Sequence, residues 1–219
     1  MQRTFINKIY DKALTIIGDI KVYPAPFWMV YDPSEYHVTG DEMHEILDTI
    51  QDGDILLRFY TMYLDGKIIS GIFSHAAFYA GNNICYHSIA EGVQKISLLQ
   101  FLQCDGIAIL RFKKINKTQI KKAISNAKTL LGCPYDFEFE SNDKKYYCSE
   151  FVRVIYEHMK NILQVEPKEI KKFFGLIKKN VILPDAFLNS PALEIVYLNA
   201  MAKKKMTKNC KPKEFSISI

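Results

Sequence analysis

The chain has 219 residues, 48% of them hydrophobic and 13% aromatic, with a net charge of +5. That is enough apolar material for one domain with a buried core, and it excludes the low-hydrophobicity, high-charge composition of disordered chains. Much of the basic excess lies in short clusters, Lys113-Lys114, Lys171-Lys172, Lys178-Lys179 and Lys203-Lys204-Lys205; these read as solvated faces, so no nucleic-acid partner is expected.

The first residues, "MQRTFINKIYDKALTIIGDIKVY", interleave apolar and charged positions and lack the unbroken apolar run and cleavage site of a signal peptide. No segment approaches the roughly 20 apolar residues that a membrane span needs, so no integral membrane segment and a cytoplasmic location are expected. The five cysteines, Cys85, Cys104, Cys133, Cys148 and Cys210, are odd in number and lack CxxC spacing. They suggest neither a disulfide framework nor a zinc site, and they fit a reducing compartment.

In chain order, residues 5–20 and 41–51 read as amphipathic helices separated by Pro24, Pro26 and Pro33. The runs "DILLRFY", "SHAAFYAG", "NICYHSIAEG", "VQKISL" and "GIAILRF" then predict an antiparallel sheet, with Asn82-Asn83 supplying the positive φ of a tight turn. Ile120, Ile124, Ala127, Leu130 and Leu131 recur at helical spacing over 117–131, and Gly132 with Pro134 stops that helix. A further helix starts near Cys148 with Phe151, Val152, Ile155 and Tyr156 on one stripe, and another is expected over 168–178. Pro184 and Pro191 bracket a loop, and "LEIVYL" reads as a last strand. The expectation is an α+β domain, a small antiparallel sheet packed against helices. Its parts are a helical lead-in over 1–52, a catalytic unit over 53–200 and a basic tail over 201–219, the tail being a flexible arm or a terminal strand.

Cys148 opens an apolar-periodic helix after the polar stretch "ESNDKK". A thiol at a helix N-terminus with a histidine alongside has its thiolate stabilised, and the same free N–H groups can bind an oxyanion. The histidine is sought on the strands. Alternation puts Phe73, His75, Ala77 and Tyr79 on one face, and Cys85, His87 and Ile89 on one face of the next strand. Pairing Ala80 with Asn83 sets position 75 opposite about 88, so a bulge or a longer loop must fix the final register. His75 as a base needs a partner that holds its tautomer; His87 is one candidate and Glu91 the rival.

"GDILLRF" followed by "FSHAAFYAGNNICYHSIAEGV" resembles the second half of the NlpC-type papain-like hydrolases, and "YYCSEFVRVIY" resembles their nucleophile helix. Here the cysteine comes last. That order, with "GCPYDFEFE" ahead of it, resembles the circularly permuted, YiiX-like branch, which is related to the lecithin retinol acyltransferase-like enzymes. The resemblance implies a permuted papain-like fold with Cys148 as nucleophile, His75 as base and His87 as third member, although the YiiX-like pattern usually has Glu at the last position. It also implies a substrate-orienting role for Asp54. Tyr135 and Tyr147, close to the nucleophile in sequence, are candidate pocket residues.

The expected function is cleavage of an amide bond through a Cys–His acyl-enzyme, by a peptidase or amidase for which cell-wall-type peptides are one candidate substrate, with no cofactor and no metal. A lipid acyl hydrolase or acyltransferase with the same nucleophile, and a binding module that retains only the fold, are the alternatives. The expected partner is a peptide or a lipid-derived acyl substrate.

Overall fold

Between Ile55 and Phe112 successive apolar side chains leave the backbone on opposite sides, and in the computed structural model of the protein this alternation builds a sheet buried on both faces. The described residues are 20–24, 27–31, 37–61, 71–140, 144–172 and 177–209. The helix expected over 5–20, apart from its last residue, lies outside them, as do Cys210 and the segment "FSISI".

A hairpin of β1 (Ile20–Pro24) and β2 (Phe27–Tyr31) precedes α1 (Gly40–Thr49). Helix α1 starts on a capping box: Thr39 Oγ1 accepts the Glu42 N–H, and the Glu42 carboxylate accepts the Thr39 N–H. Strands β3 (Ile55–Phe59), β4 (His75–Tyr79), β5 (Ile84–Ile89) and β6 (Gly92–Ser97) follow, then the short helix α2 (Leu98–Phe101) and β7 (Gly106–Phe112). The chain continues through α3 (Lys117–Thr129), α4 (Cys148–Ile155), α5 (Lys160–Leu163), a hairpin of β8 (Lys168–Lys172) and β9 (Ile177–Val181), β10 (Leu193–Leu198) and α6 (Ala200–Asn209). Six strands form one antiparallel sheet in the order β10-β7-β3-β4-β5-β6. This is the expected α+β architecture.

Ile55, Leu57, Ala76, Phe78, Tyr86, Ala108 and Leu110 face one core, closed by Phe151, Val152 and Ile155 of α4. Leu56, Ala77, Tyr79, Cys85, Ile107 and Ile109 face the other, closed by Ile46 of α1 and by Leu98 and Phe101 of α2. Among the described residues no helix is long and apolar enough to cross a membrane.

Two expectations are corrected. The segment 168–178 is a strand pair instead of a helix: Ile170 packs inward while Glu169, Lys178 and Asn180 are exposed, a period of two, and Val181 and Ile182 anchor the hairpin in the core. The helix propensity of lysine is a weak preference that this pairing overrides. The start of the expected basic tail is helix α6, with Ala202 and Met206 buried one turn apart. Asn199 caps it, its Oδ1 accepting the Ala202 and Ile107 N–H groups.

The β4–β5 register is Ala77↔His87 and Tyr79↔Cys85. The longer loop resolves the register: Gly81, Asn82 and Asn83 all take positive φ (87°, 51° and 61°), and the Ala80 N–H closes onto Ile84 O at 2.9 Å.

The Gly-Asp pair that opens β3 is structural. The Asp54 carboxylate, 1% exposed, takes Arg111 Nε at 2.8 Å and Nη2 at 2.7 Å, and accepts the Gln51 N–H at 2.8 Å. It also lies at the far end of β3 from Arg58, which pairs with His75, roughly 13 Å away at strand rise. The expectation that Asp54 orients substrate is therefore not met. Asp54→Ala leaves the guanidinium without its partner, and since Arg111 reaches solvent the expected loss is roughly 3 kcal/mol of unfolding free energy, read from urea denaturation.

Candidate active site

The segment that delivers Cys148 is tied to the sheet before the helix begins. The Gly132 N–H donates to Val93 O at 2.9 Å and the Val93 N–H to Cys133 O at 2.8 Å, so 132–133 runs along the start of β6. Gly92 makes this approach possible: it sits at φ +103°, and a Cβ there would lie 2.4 Å from Cys133 O. The Tyr146 N–H then donates to Pro134 O at 3.0 Å, and Ser88 Oγ on β5 donates to Tyr146 O at 2.5 Å.

Strands β4 and β5 pair only between residues 77 and 79 on one side and 85 and 87 on the other. Beyond Ala77 the ladder stops, and there the Ala76 N–H donates to Cys148 Sγ instead. The sulfur also lies against the backbone N–H groups of Ser149 and Cys148, with Ser149 Oγ at 3.7 Å. Cys148 is 7% exposed, and burial pushes its thiol up from the ordinary value, more than these donors pull it down. Burial therefore outweighs the donors around the sulfur, against the lowered pKa expected at a helix N-terminus.

His75 begins β4 and His87 lies two positions beyond it on the diagonal of the same sheet face. The structure brings them together: His75 Nε2 and His87 Nδ1 are 3.1 Å apart, and the rings meet edge to face with centroids 5.3 Å apart. Both pack on Phe101 of α2, at 5.9 and 6.0 Å. Burial, aided by Arg58, holds the His75 imidazole well below its usual pKa and His87 at about 3, so both rings are neutral near pH 7. Glu91 is exposed in the turn between β5 and β6 and is not part of this contact.

The two tyrosines serve packing. Tyr147 is 6% exposed, its Oη accepts the Ile182 N–H at 3.0 Å, and its ring meets Phe139 at 5.0 Å. Tyr135 is half-buried with its ring 4.8 Å from Phe137.

Against this geometry, the family described as "Permuted papain-like amidase enzyme, YaeF/YiiX, C92 family" matches residues 49–197, more than half of the chain. The chain belongs to this permuted papain-like family. The "Uncharacterized protein YiiX" of Escherichia coli K12 is 30% identical over 95 residues, covering 36% of this chain and 47% of that protein, so the chain spans about half the length of this curated relative. A crystal structure titled as the metalloprotein yiiX from Escherichia coli O157:H7 superposes with a TM-score of 0.57 at 22% identity, over 69% of this chain and 98% of that one. That likeness supports the permuted papain-like fold. The family is one of cysteine peptidase-like amidases, and in this chain Cys148 opens α4.

Two residues beside the site escaped the sequence reading. Arg58 pairs with His75 across β3 and β4; strand alternation would have found it once the register was known. Glu150, at the third position of α4, is 4% exposed, takes the Tyr147 N–H and leaves Oε2 buried without a partner. The hydrophobic cap Tyr147 concealed this half of a capping box. Burial first, and the Asp136 carboxylate second, raise Glu150 from 4.5 to about 7. Between those two pH values the folded protein holds a proton that the unfolded chain has released, so Glu150's contribution to stability falls as pH rises from about 4.5 through 7. Glu150→Gln keeps the acceptor for Tyr147 and loses the titration. Its unfolding free energy relative to the native chain is expected to improve by roughly 3 kcal/mol between pH 4 and pH 8, measured by urea denaturation at each pH.

Proposed function

We propose that the chain is a thiol amidase in which Cys148 is the nucleophile, His75 its base and His87 the residue that orients His75. The observation that carries this reading is the contact of His75 Nε2 with His87 Nδ1 at 3.1 Å, beside a helix-opening cysteine whose sulfur accepts the N–H of the residue after His75.

With Nε2–H of His75 donating to His87 Nδ1, the His75 Nδ1 lone pair is the one left to take a proton. The thiol and the imidazole rest uncharged, because burial disfavours both ions. As Sγ attacks the amide carbonyl, its proton passes to His75, and the backbone N–H groups of Ser149 and Ala76 are the donors nearest the forming oxyanion and sulfur. His75 then gives the proton to the departing amine, leaving a thioester. Water, deprotonated by the same imidazole, splits the thioester to a carboxylic acid and restores the thiol. The substrate class we favour is a peptide amide, including the unusual peptides of a cell wall. The four unpaired cysteines among the described residues suit a reducing, cytoplasmic setting.

The E. coli O157:H7 neighbour is titled a metalloprotein. Among the described residues of this chain, no group of three or more His, Cys, Asp or Glu side chains could hold a metal ion.

Iodoacetamide labelling followed by mass spectrometry tests the nucleophile. Cys85 and Cys104 are fully buried, Cys104 pushed up to about 12, whereas Cys133 is half-buried and serves as the internal control. Cys148 is expected to label faster than Cys133 despite its lower exposure, and His75→Ala to slow Cys148 alone. Equal slowing of both, or no slowing, contradicts the assignment. In turnover of peptide amides, with phospholipid esters assayed in parallel, Cys148→Ala should abolish activity and His75→Ala reduce it at least about a hundredfold. His87→Ala should lower kcat about tenfold or more while Glu91→Ala stays within about twofold; the reverse ranking would name Glu91 as the orienting residue.

A further inference from the structure

We infer that Arg58 forms a carboxylate-binding subsite beside the His75–His87 pair, which selects amides whose leaving amine carries a carboxylate, as an amino acid or an acidic peptide end does. The inference rests on the assignment of Cys148 and His75 above.

Three arginines lie among the described residues. Two have carboxylate partners: Arg153 pairs with Glu157, and Arg111 presents Nε and Nη2, one edge of its guanidinium, to the two oxygens of Asp54 at 2.8 and 2.7 Å. That is the side-on, bidentate geometry in which arginine takes a carboxylate. Arg58 has no carboxylate partner among the described residues. Its Nη1 donates to Phe101 O at 2.9 Å, its Nε is buried without a hydrogen-bond partner, and Nη2 makes no hydrogen bond there.

The guanidinium is also held in place. It stacks 4.3 Å from the centroid of Phe101 and 5.2 Å from that of Tyr60, so its orientation is fixed before any ligand arrives. Phe101 is the ring on which His75 and His87 pack, so the cation and the two imidazoles share one support. Arg58 stands directly opposite His75 in the strand register and remains partly exposed. A positive charge beside a histidine base is unfavourable to the imidazolium formed in turnover, and a neighbouring anion offsets that penalty. The residue that hands its proton to the departing amine is His75, so the leaving half of the substrate lies on its side of the thiol. A carboxylate on that half comes to Nη2 of Arg58, the guanidinium nitrogen that is neither buried nor hydrogen-bonded among the described residues.

Matched alkylating reagents test this without knowledge of the natural substrate. N-iodoacetylglycine carries a carboxylate where a leaving amino acid would, and N-iodoacetylglycinamide is its neutral counterpart. Both report on the same sulfur, so the ratio of their rates cancels any change in thiolate fraction. In the native chain the acid is expected to label Cys148 at least about tenfold faster than the amide. Arg58→Gln should abolish the preference and Arg58→Lys should retain part of it, since lysine keeps the charge and loses the fork. An acid no faster than the amide on the native chain overturns the subsite with no variant required, and so does a preference that survives Arg58→Gln. If the neutral reagent labels Cys148 no faster than Cys133, the nucleophile assignment has failed and the subsite falls with it.

Discussion

The structure turns on the place where the ladder between β4 and β5 ends. Two antiparallel strands would ordinarily continue pairing past Ala77 and His87, and here the N–H of Ala76 turns to the sulfur of Cys148 while the hydroxyl of Ser88 takes the carbonyl of Tyr146. The start of α4 takes the place of the missing rungs: Cys148 Sγ accepts the Ala76 N–H, and the Ser88 hydroxyl satisfies the Tyr146 carbonyl just ahead of the helix. The start of α4 is thereby fixed against β4 and β5, and the cost of leaving those groups unpaired maintains the arrangement.

Burial sets the electrostatics of the site. A short helix and a few N–H groups favour a thiolate, and complete desolvation disfavours it more; the same burial disfavours an imidazolium. The result is a site in which the Cys148 thiol and the two imidazoles rest uncharged near neutral pH. Glu150 fits this pattern. An ionised carboxylate two residues from the sulfur would oppose the thiolate, and the environment of Glu150 favours its protonated form up to about pH 7.

Much of this was legible in the residues. Alternation in "SHAAFYAG" and "NICYHSIAEG" marked the strands that bring the two histidines to one face, and the apolar stripe after Cys148 marked the helix that it opens. What could not be read was whatever depends on distant pairing. The register of Ala77 with His87 needed the conformation of three successive turn residues, and the role of Asp54 needed Arg111, 57 residues away. Local composition misled twice. The lysines of 168–178 suggested a helix where a long-range strand pair forms, and the basic character of 201–209 hid the single turn of spacing that buries Ala202 and Met206. Tyr135 and Tyr147 were near the nucleophile in sequence, but chain proximity at a helix start places aromatic rings in the core as readily as at a cleft.

The order of the elements explains why α4 carries so many separate ties. Because α4 follows the sheet strands in the chain, the backbone alone leaves it free to dock at different heights along β4 and β5. Three tyrosines remove that freedom at different points. Tyr146 is held through its carbonyl by Ser88, Tyr147 through its hydroxyl by the Ile182 N–H, and Tyr156 at the helix end by donating its hydroxyl proton to Gly53 O at 2.5 Å. The last contact assigns a purpose to the glycine of the Gly-Asp pair: at φ +94° it turns its carbonyl to the end of the helix while Asp54 ties the same turn to β7. Sheet, turn and helix are thus locked at both ends of α4.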